Sequence, residues 1–256
     1  MKHCWIFPFI LLSLVSANLR LTNYFRNTTR KKPTHLSDSS HTWWTEPQRP
    51  IVLRPGEATM FQEDWVYGRT GACGFAKPFS SEAIGMFAAV GADTWGDGNT
   101  CGSCAELQYQ SRTVTVNVVD KCVACTNGWF DLGGPAWRAL TGGQPPGHIY
   151  GLSWKRVSCP ASLTGGNNLQ VYVKPGSHAW DDRFQPTHHS RPVRKMYIDG
   201  GRGWQRMSKC ENFMFCKPQG LTLGGQFKLR VVSDTGVIDV KVRQLSINMN
   251  HSTILC

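Results

Sequence analysis

The chain has 256 residues, 41% hydrophobic and 18% charged, with a net charge of +11 and ten cysteines. That composition excludes a disordered or collagen-like chain and leaves room for one large or two small domains. The apolar run Trp5 to Val15 is too short to span a bilayer, which needs ~20 residues, and no other segment qualifies, so a membrane-spanning protein is excluded.

Residues 1–17 read as a secretory signal: Lys2 gives a basic start, an apolar stretch comes next, and Val15-Ser16-Ala17 is a small-residue cleavage site. Residues 18–50 read as a flexible basic tail, with Arg30-Lys31-Lys32, no hydrophobic periodicity, and Trp43-Trp44 packing loosely on the next domain. A first folded module is expected over 51–163. Its elements are a turn into a strand at Gly56 to Phe61, a Gly-rich loop from Gly68 to Gly74, and a short helix through Val90 capped by Ser80. A cysteine turn at Asn99 to Cys104 and a strand from Ala105 to Tyr109 come next.

Thr113 to Val119 is a β-branched run broken only by Asn117, and it ends on Asp120. Trp129-Phe130-Asp131-Leu132 precedes a helical stretch from Ala136 to Leu140, and a last strand runs from Ile149 to Val157. Each carboxylate stands where a strand stops and side chains commonly face a cleft; a turn role for Asp120 and a cap role for Asp131 are the plainer readings. Residues 164–168 form a Gly-rich linker. The second module, 169–256, carries strands at Leu169 to Lys174, Pro192 to Ile198, Phe227 to Ser233 and Val237 to Leu245, with Asp234-Thr235-Gly236 as a hairpin turn. The chain is therefore expected to be all-β, a small barrel followed by a β-sandwich.

Cys73, Cys101, Cys104, Cys122, Cys125 and Cys159 are an even set suited to three bridges, and Cys210 with Cys216 suits a local loop. Cys4 leaves with the signal, and Cys256 is left over. The C-x-x-C spacings at 101–104 and 122–125 also permit zinc, but an oxidising compartment favours disulfides. Asn27 and Asn250 open glycosylation sequons. Charge is uneven: 7 basic and 2 acidic residues in 1–50, 8 and 9 in 51–165, and 13 and 6 in 166–256. A basic second module suits an acidic partner; secretion argues against nucleic acid and for an acidic polymer such as pectin.

The pieces G-A-C-G-F, C-G-S-C-A-E-L, V-V-D-K-C, F-D-L and W-K-R-V-S-C-P, in that order, resemble the expansin family, with the D-x-C-x-x-C form most like its fungal and other non-plant members. K-P-G-S-H-A-W, P-V-R-K-M-Y, G-W-Q-R-M and F-K-L-R-V-V-S-D-T-G resemble the expansin C-terminal module. The resemblance covers about residues 55–250. It implies a six-stranded double-psi β-barrel followed by an immunoglobulin-like sandwich that binds polysaccharide. Family-forty-five endoglucanases and barwin-type defence proteins share the barrel.

Hydrolysis of a glycosidic bond needs two placed carboxyl groups. Asp131 matches the family's acid, and its apolar neighbours Phe130 and Leu132 should raise its pKa. Asp120 matches a second groove acid, although Cys122 stands where some relatives carry an aromatic ring. Thr59 matches the groove threonine, and Glu63 falls at the endoglucanase base position. In the second module Trp180 matches a platform tryptophan whose neighbour is here Asp181. Phe213, beside Asn212, can stand in for a third ring, and Lys174 flanks the platform. Trp204, Phe215 and Phe227 read as core, and His188-His189 as a solvated turn. The reading is a secreted, monomeric, cofactor-free and metal-free protein that binds and loosens cell-wall cellulose, hemicellulose or acidic pectin without hydrolysis. A β-1,4-endoglucanase and a barwin-like defence protein or inhibitor are the alternatives.

Overall fold

The computed structural model describes residues 53–62, 71–75, 80–81, 83–126, 128–166, 169–174, 182–211, 213–221, 223, 227–234, 236–242 and 252–255, all within the compact unit Arg49–Cys256. Its first half is a closed barrel of six strands: β1 (Arg54–Gln62), β2 (Phe87–Val90), β3 (Cys104–Tyr109), β4 (Arg112–Lys121), β5 (Trp129–Gly133) and β6 (His148–Val157). They close in the order β1-β5-β2-β4-β3-β6, with β1·β5 and β2·β4 parallel and the other pairs antiparallel. These two parallel contacts interlock the chain as the double-psi topology requires.

Inward residues alternate with outward ones: Ala58 on β1, Leu107 on β3, Val114 and Val116 on β4, Phe130 and Leu132 on β5, and Leu152 and Trp154 on β6 are all buried. The helix expected to run through Val90 is instead a turn followed by β2. All four residues of β2 are buried, because a central barrel strand is covered on both sides and loses its alternation. Ser80 does cap, but caps the turn: its Oγ accepts from the Ala83 N–H at 3.1 Å.

A single helical turn, α1 (Ala92–Trp95), comes after β2, and α2 (Gly134–Thr141) packs Trp137 and Leu140 onto the barrel. The N-cap of α2 is Gly133 and no side chain caps it, which removes the plain capping role for Asp131.

After α3 (Ala161–Thr164) the chain builds two antiparallel sheets. One joins β7 (Gln170–Val173), β8 (Arg183–Thr187), β11 (Ser208–Lys209), β12 (Phe215–Cys216) and β15 (Ser252–Leu255). The other joins β9 (Val193–Asp199), β10 (Gln205–Arg206), β13 (Phe227–Ser233) and β14 (Gly236–Val242). Phe184 of the first meets Phe227 of the second edge to face at 5.8 Å, so their apolar faces share a core.

Four disulfides join Cys73 to Cys101, Cys104 to Cys159, Cys122 to Cys125 and Cys210 to Cys216. Cys101 and Cys104 therefore belong to different bridges. Cys4, Cys256, Trp43 and Trp44 lie outside the described residues.

The two halves meet around His189, which is buried and not in a solvated turn. Its Nδ1–H donates to the Arg191 carbonyl at 2.8 Å, while Nε2 has no partner among the described residues and faces Gly102, where a Cβ would stand 2.6 Å from it. Burial is the main cause that lowers the His189 pKa to about 4.

The neutral ring is thus the folded form, while the unfolded chain takes up its proton near pH 6.5. Stability contributed by this residue is complete above about pH 6.5 and is lost as pH falls toward 4, by roughly 3 kcal/mol. Thermal unfolding measured from pH 7 to pH 4 should show that loss in the wild type and less of it in His189→Gln. Parallel profiles would show that His189 is not the source.

Candidate functional site

Neighbouring strands β6, β1 and β5 turn one set of side chains outward. On β6, His148 and Tyr150 flank the buried Ile149; on β1, Glu57 and Thr59 flank the buried Ala58; on β5, Trp129 and Asp131 flank the buried Phe130. Register places Glu57 between Trp129 and Tyr150, and Thr59 between Asp131 and His148. One face of the barrel thereby collects three rings, two carboxylates and a hydroxyl.

Thr59 is the hub. The indole Nε1–H of Trp129 can only donate, and it donates to Thr59 Oγ at 2.9 Å. With that lone pair used, the Thr59 hydroxyl donates to Asp131 Oδ1 at 2.6 Å. Asp131 is half-buried. Burial raises its pKa above the ordinary carboxylate value, the Thr59 hydrogen bond opposes that rise, and repulsion from Asp120 adds to it. The expected raised pKa is present, and its main cause is desolvation by the barrel face. Among the described residues no hydrogen bond engages the second oxygen of Asp131.

Asp120 lies two strands away: Ala89 of β2 pairs with Asp131 on one side and with Asp120 on the other. Its Oδ1 accepts the backbone N–H of Ala72 at 2.5 Å and of Lys121 at 2.7 Å. This carboxylate ties down the loop that leads into Cys73, so one of its oxygens is not available as a base.

Beside this pair the rings of Trp129, His148 and Tyr150 lie one over the next, with centroids 4.5 and 4.2 Å apart. His148 Nε2–H donates to Glu57 Oε2 at 2.9 Å, and its Nδ1 lies 3.3 Å from the Tyr150 hydroxyl oxygen. Tyr150 is 68% exposed, so an aromatic surface continues the acid face toward solvent.

The structure brings together Thr59, Asp131 and Asp120 of the residues expected from sequence. It does not place Phe213 on a binding platform: this ring is fully buried at the junction of the two halves, 6.1 Å from Phe75 and 5.9 Å from Phe215. Phe215 and Phe227 are core as expected, and Trp204 is partly covered by Arg230 at 4.2 Å. Lys174 lies in the second half, paired with Glu211, which also holds Arg183. Glu63, Trp180, Asp181, Asn212, Asn27 and Asn250 lie outside the described residues. Sequence reasoning missed Trp129, His148, Tyr150 and Glu57. The signal was present in the alternation of His148 and Tyr150 about Ile149, and of Trp129 and Asp131 about Phe130.

No family model matches the chain. Its sequence is similar to two proteins of Dictyostelium discoideum. Expansin-like protein 5 is 28% identical over 199 residues, which cover 75% of this chain and 79% of that one. Expansin-like protein 3 is 28% identical over 173 residues, covering 65% of this chain and 50% of that one. The fold is similar to that of apo Clavibacter michiganensis expansin, with a TM-score of 0.68 at 21% identity over 80% of this chain and 96% of that one. A mutant of the same expansin in complex with cellohexaose gives 0.66 at 20% identity over the same shares.

Two substitutions should move the Asp131 titration in opposite directions. Thr59→Val removes the hydrogen bond that favours the carboxylate and should raise its pKa. Asp120→Asn removes a repelling charge and should lower it. Carboxyl-carbon NMR titration of the two variants reads both shifts, and shifts of the same sign would contradict the relay.

Proposed function

We propose that this expansin-like chain is secreted and binds a β-linked glucan of the cell wall along the face of β6, β1 and β5, loosening polymer contacts without cleaving them. The observation that carries this reading is the Trp129–Thr59–Asp131 relay, set beside an exposed aromatic stack. A carboxylate with one oxygen fixed by Thr59 can accept hydroxyl hydrogens from a sugar through the other. The C–H faces of pyranose rings pack against aromatic rings at small entropic cost. The cellohexaose bound to the Clavibacter expansin mutant supports a glucan as the ligand class. Hemicellulose and acidic pectin are further wall polymers we assign to it, and we propose that it acts as a monomer. The leader at residues 1–17 supports export, and no helix among the described residues is long and apolar enough to cross a membrane.

Non-hydrolytic action belongs to this proposal: a cleaving enzyme needs a base to face its acid, and Asp120 Oδ1 ties down the loop at 71–75 through two backbone N–H groups. One observation favours the endoglucanase reading: the raised pKa of Asp131 suits a general acid. In that case Glu63 would be the base.

Incubation with a soluble mixed-linkage glucan separates the two readings. We expect no new reducing ends from the wild type, together with retention on cellulose that weakens in Asp131→Asn. Reducing ends that disappear in both Asp131→Asn and Glu63→Gln would establish a two-carboxylate hydrolase. Tyr150→Ala should weaken cellohexaose binding roughly two- to tenfold, whereas Tyr150→Phe keeps the ring and most of the affinity. Calorimetric titration measures both, and equal affinities for wild type and Tyr150→Ala would remove the stack from the site.

A further inference from the structure

Where the second half meets the barrel, a cleft of about 540 Å³ opens between the α1 turn and strands β9 to β11, lined by Asp97, Asn99, Arg194, Lys195, Arg206 and Lys209. It shares no residue with the face of β6, β1 and β5. Four of those side chains are cationic and one is a carboxylate. Arg194 forms a two-point pair with Asp234, at 2.5 and 3.0 Å. Lys209 is held by neutral acceptors, the backbone carbonyl of Asp97 at 3.2 Å and Asn99 Oδ1 at 2.6 Å, and its ammonium lies 5.5 Å from the centre of the Phe213 ring. Desolvation, helped by repulsion from Arg194 and opposed by Asp97, lowers the Lys209 pKa to about 8. Gathering like charges in a half-dry cleft costs free energy that a bound anion would offset.

We propose that this cleft binds the carboxylate groups of a uronate-bearing polysaccharide, and the assignment rests on the reading of the chain as a wall-polymer binder. Three features select that ligand. Arg206 is exposed and can take a carboxylate through two parallel N–H groups. Asn99 and Ser208 bring an amide and a hydroxyl to the same cleft, suited to the hydroxyls of a sugar ring. The aromatic ring that lines the cleft, Phe215, is 1% exposed, so it offers no face on which nucleic-acid bases could stack.

The test uses the full chain and calorimetric titration with a defined oligogalacturonide at low salt and neutral pH, with cellohexaose as the parallel ligand. The wild type should bind both, and added salt should weaken only the oligogalacturonide. Arg206→Gln, a surface change, should weaken the oligogalacturonide roughly tenfold, as should Lys209→Met, with cellohexaose binding unchanged as the control for folding. Cellohexaose bound without any oligogalacturonide would overturn the cleft and leave the glucan reading intact. Failure of the wild type to bind either would overturn both. Unchanged oligogalacturonide affinity in both variants would place the anion site elsewhere. Inorganic phosphate or a single-stranded oligonucleotide binding more tightly than the oligogalacturonide would overturn the polysaccharide assignment.

Discussion

A hydroxyl group that accepts from an indole has its own hydrogen left to give, and the barrel face depends on where it gives it. The parallel pairing of β1 with β5 puts Thr59 opposite Asp131, and the next outward position on β5 holds the Trp129 donor. An antiparallel neighbour would set a different pair of side chains across from Thr59. The crossover connection of the barrel, costly because it joins residues 70 apart in the chain, is what makes the relay possible. Burial and hydrogen bonding then act on Asp131 in opposite senses, and burial prevails.

The loop at 71–75 connects that face to the rest of the molecule. On one side the Ala72 N–H is held by Asp120; on the other the Cys73 carbonyl accepts from Gln185 Nε2 at 2.7 Å and from the Phe213 N–H at 3.4 Å. Cys73 is bridged to Cys101, beside the Gly102 that His189 covers. The second half of the chain is thus not an appendage. Its buried residues Gln185, His189 and Phe213 form the wall against which the barrel loop packs.

Much of this was legible in the sequence because periodicity reports burial. The β-branched run before Asp120, the strand before Cys159 and the hairpin at Asp234 all fall within a few residues of β4, β6 and the β13–β14 turn. The departures share a cause. Phe87 to Val90 is too short and too uniformly apolar for its period to be read, so helix and strand are indistinguishable until the barrel closes over it. Arg183 to Thr187 does not read as a strand because Pro186 removes a ladder donor, yet this strand lies inside its sheet with Pro186 paired to Val171. Phe213 and His189 also owe burial to contacts distant in the chain, Phe213 with Cys73 and Phe75 and His189 with Gly102. The Trp129–His148–Tyr150 stack joins two strands through a third, a juxtaposition that no local pattern encodes.

The closure of the first half has a consequence for how the molecule meets other copies of itself. A closed barrel has no unpaired strand edge to offer, whereas the two sheets of the second half end in β10 and β14 and in β11 and β15 among the described strands. β10 and β11 are two residues long, too short to template a neighbour. β14 runs seven residues beside β13 with its outer side unpaired among the described strands, and its sequence carries Asp239 and Lys241. Among the described strands β14 is therefore the longest edge beside which a second chain could add a strand, and the barrel offers none.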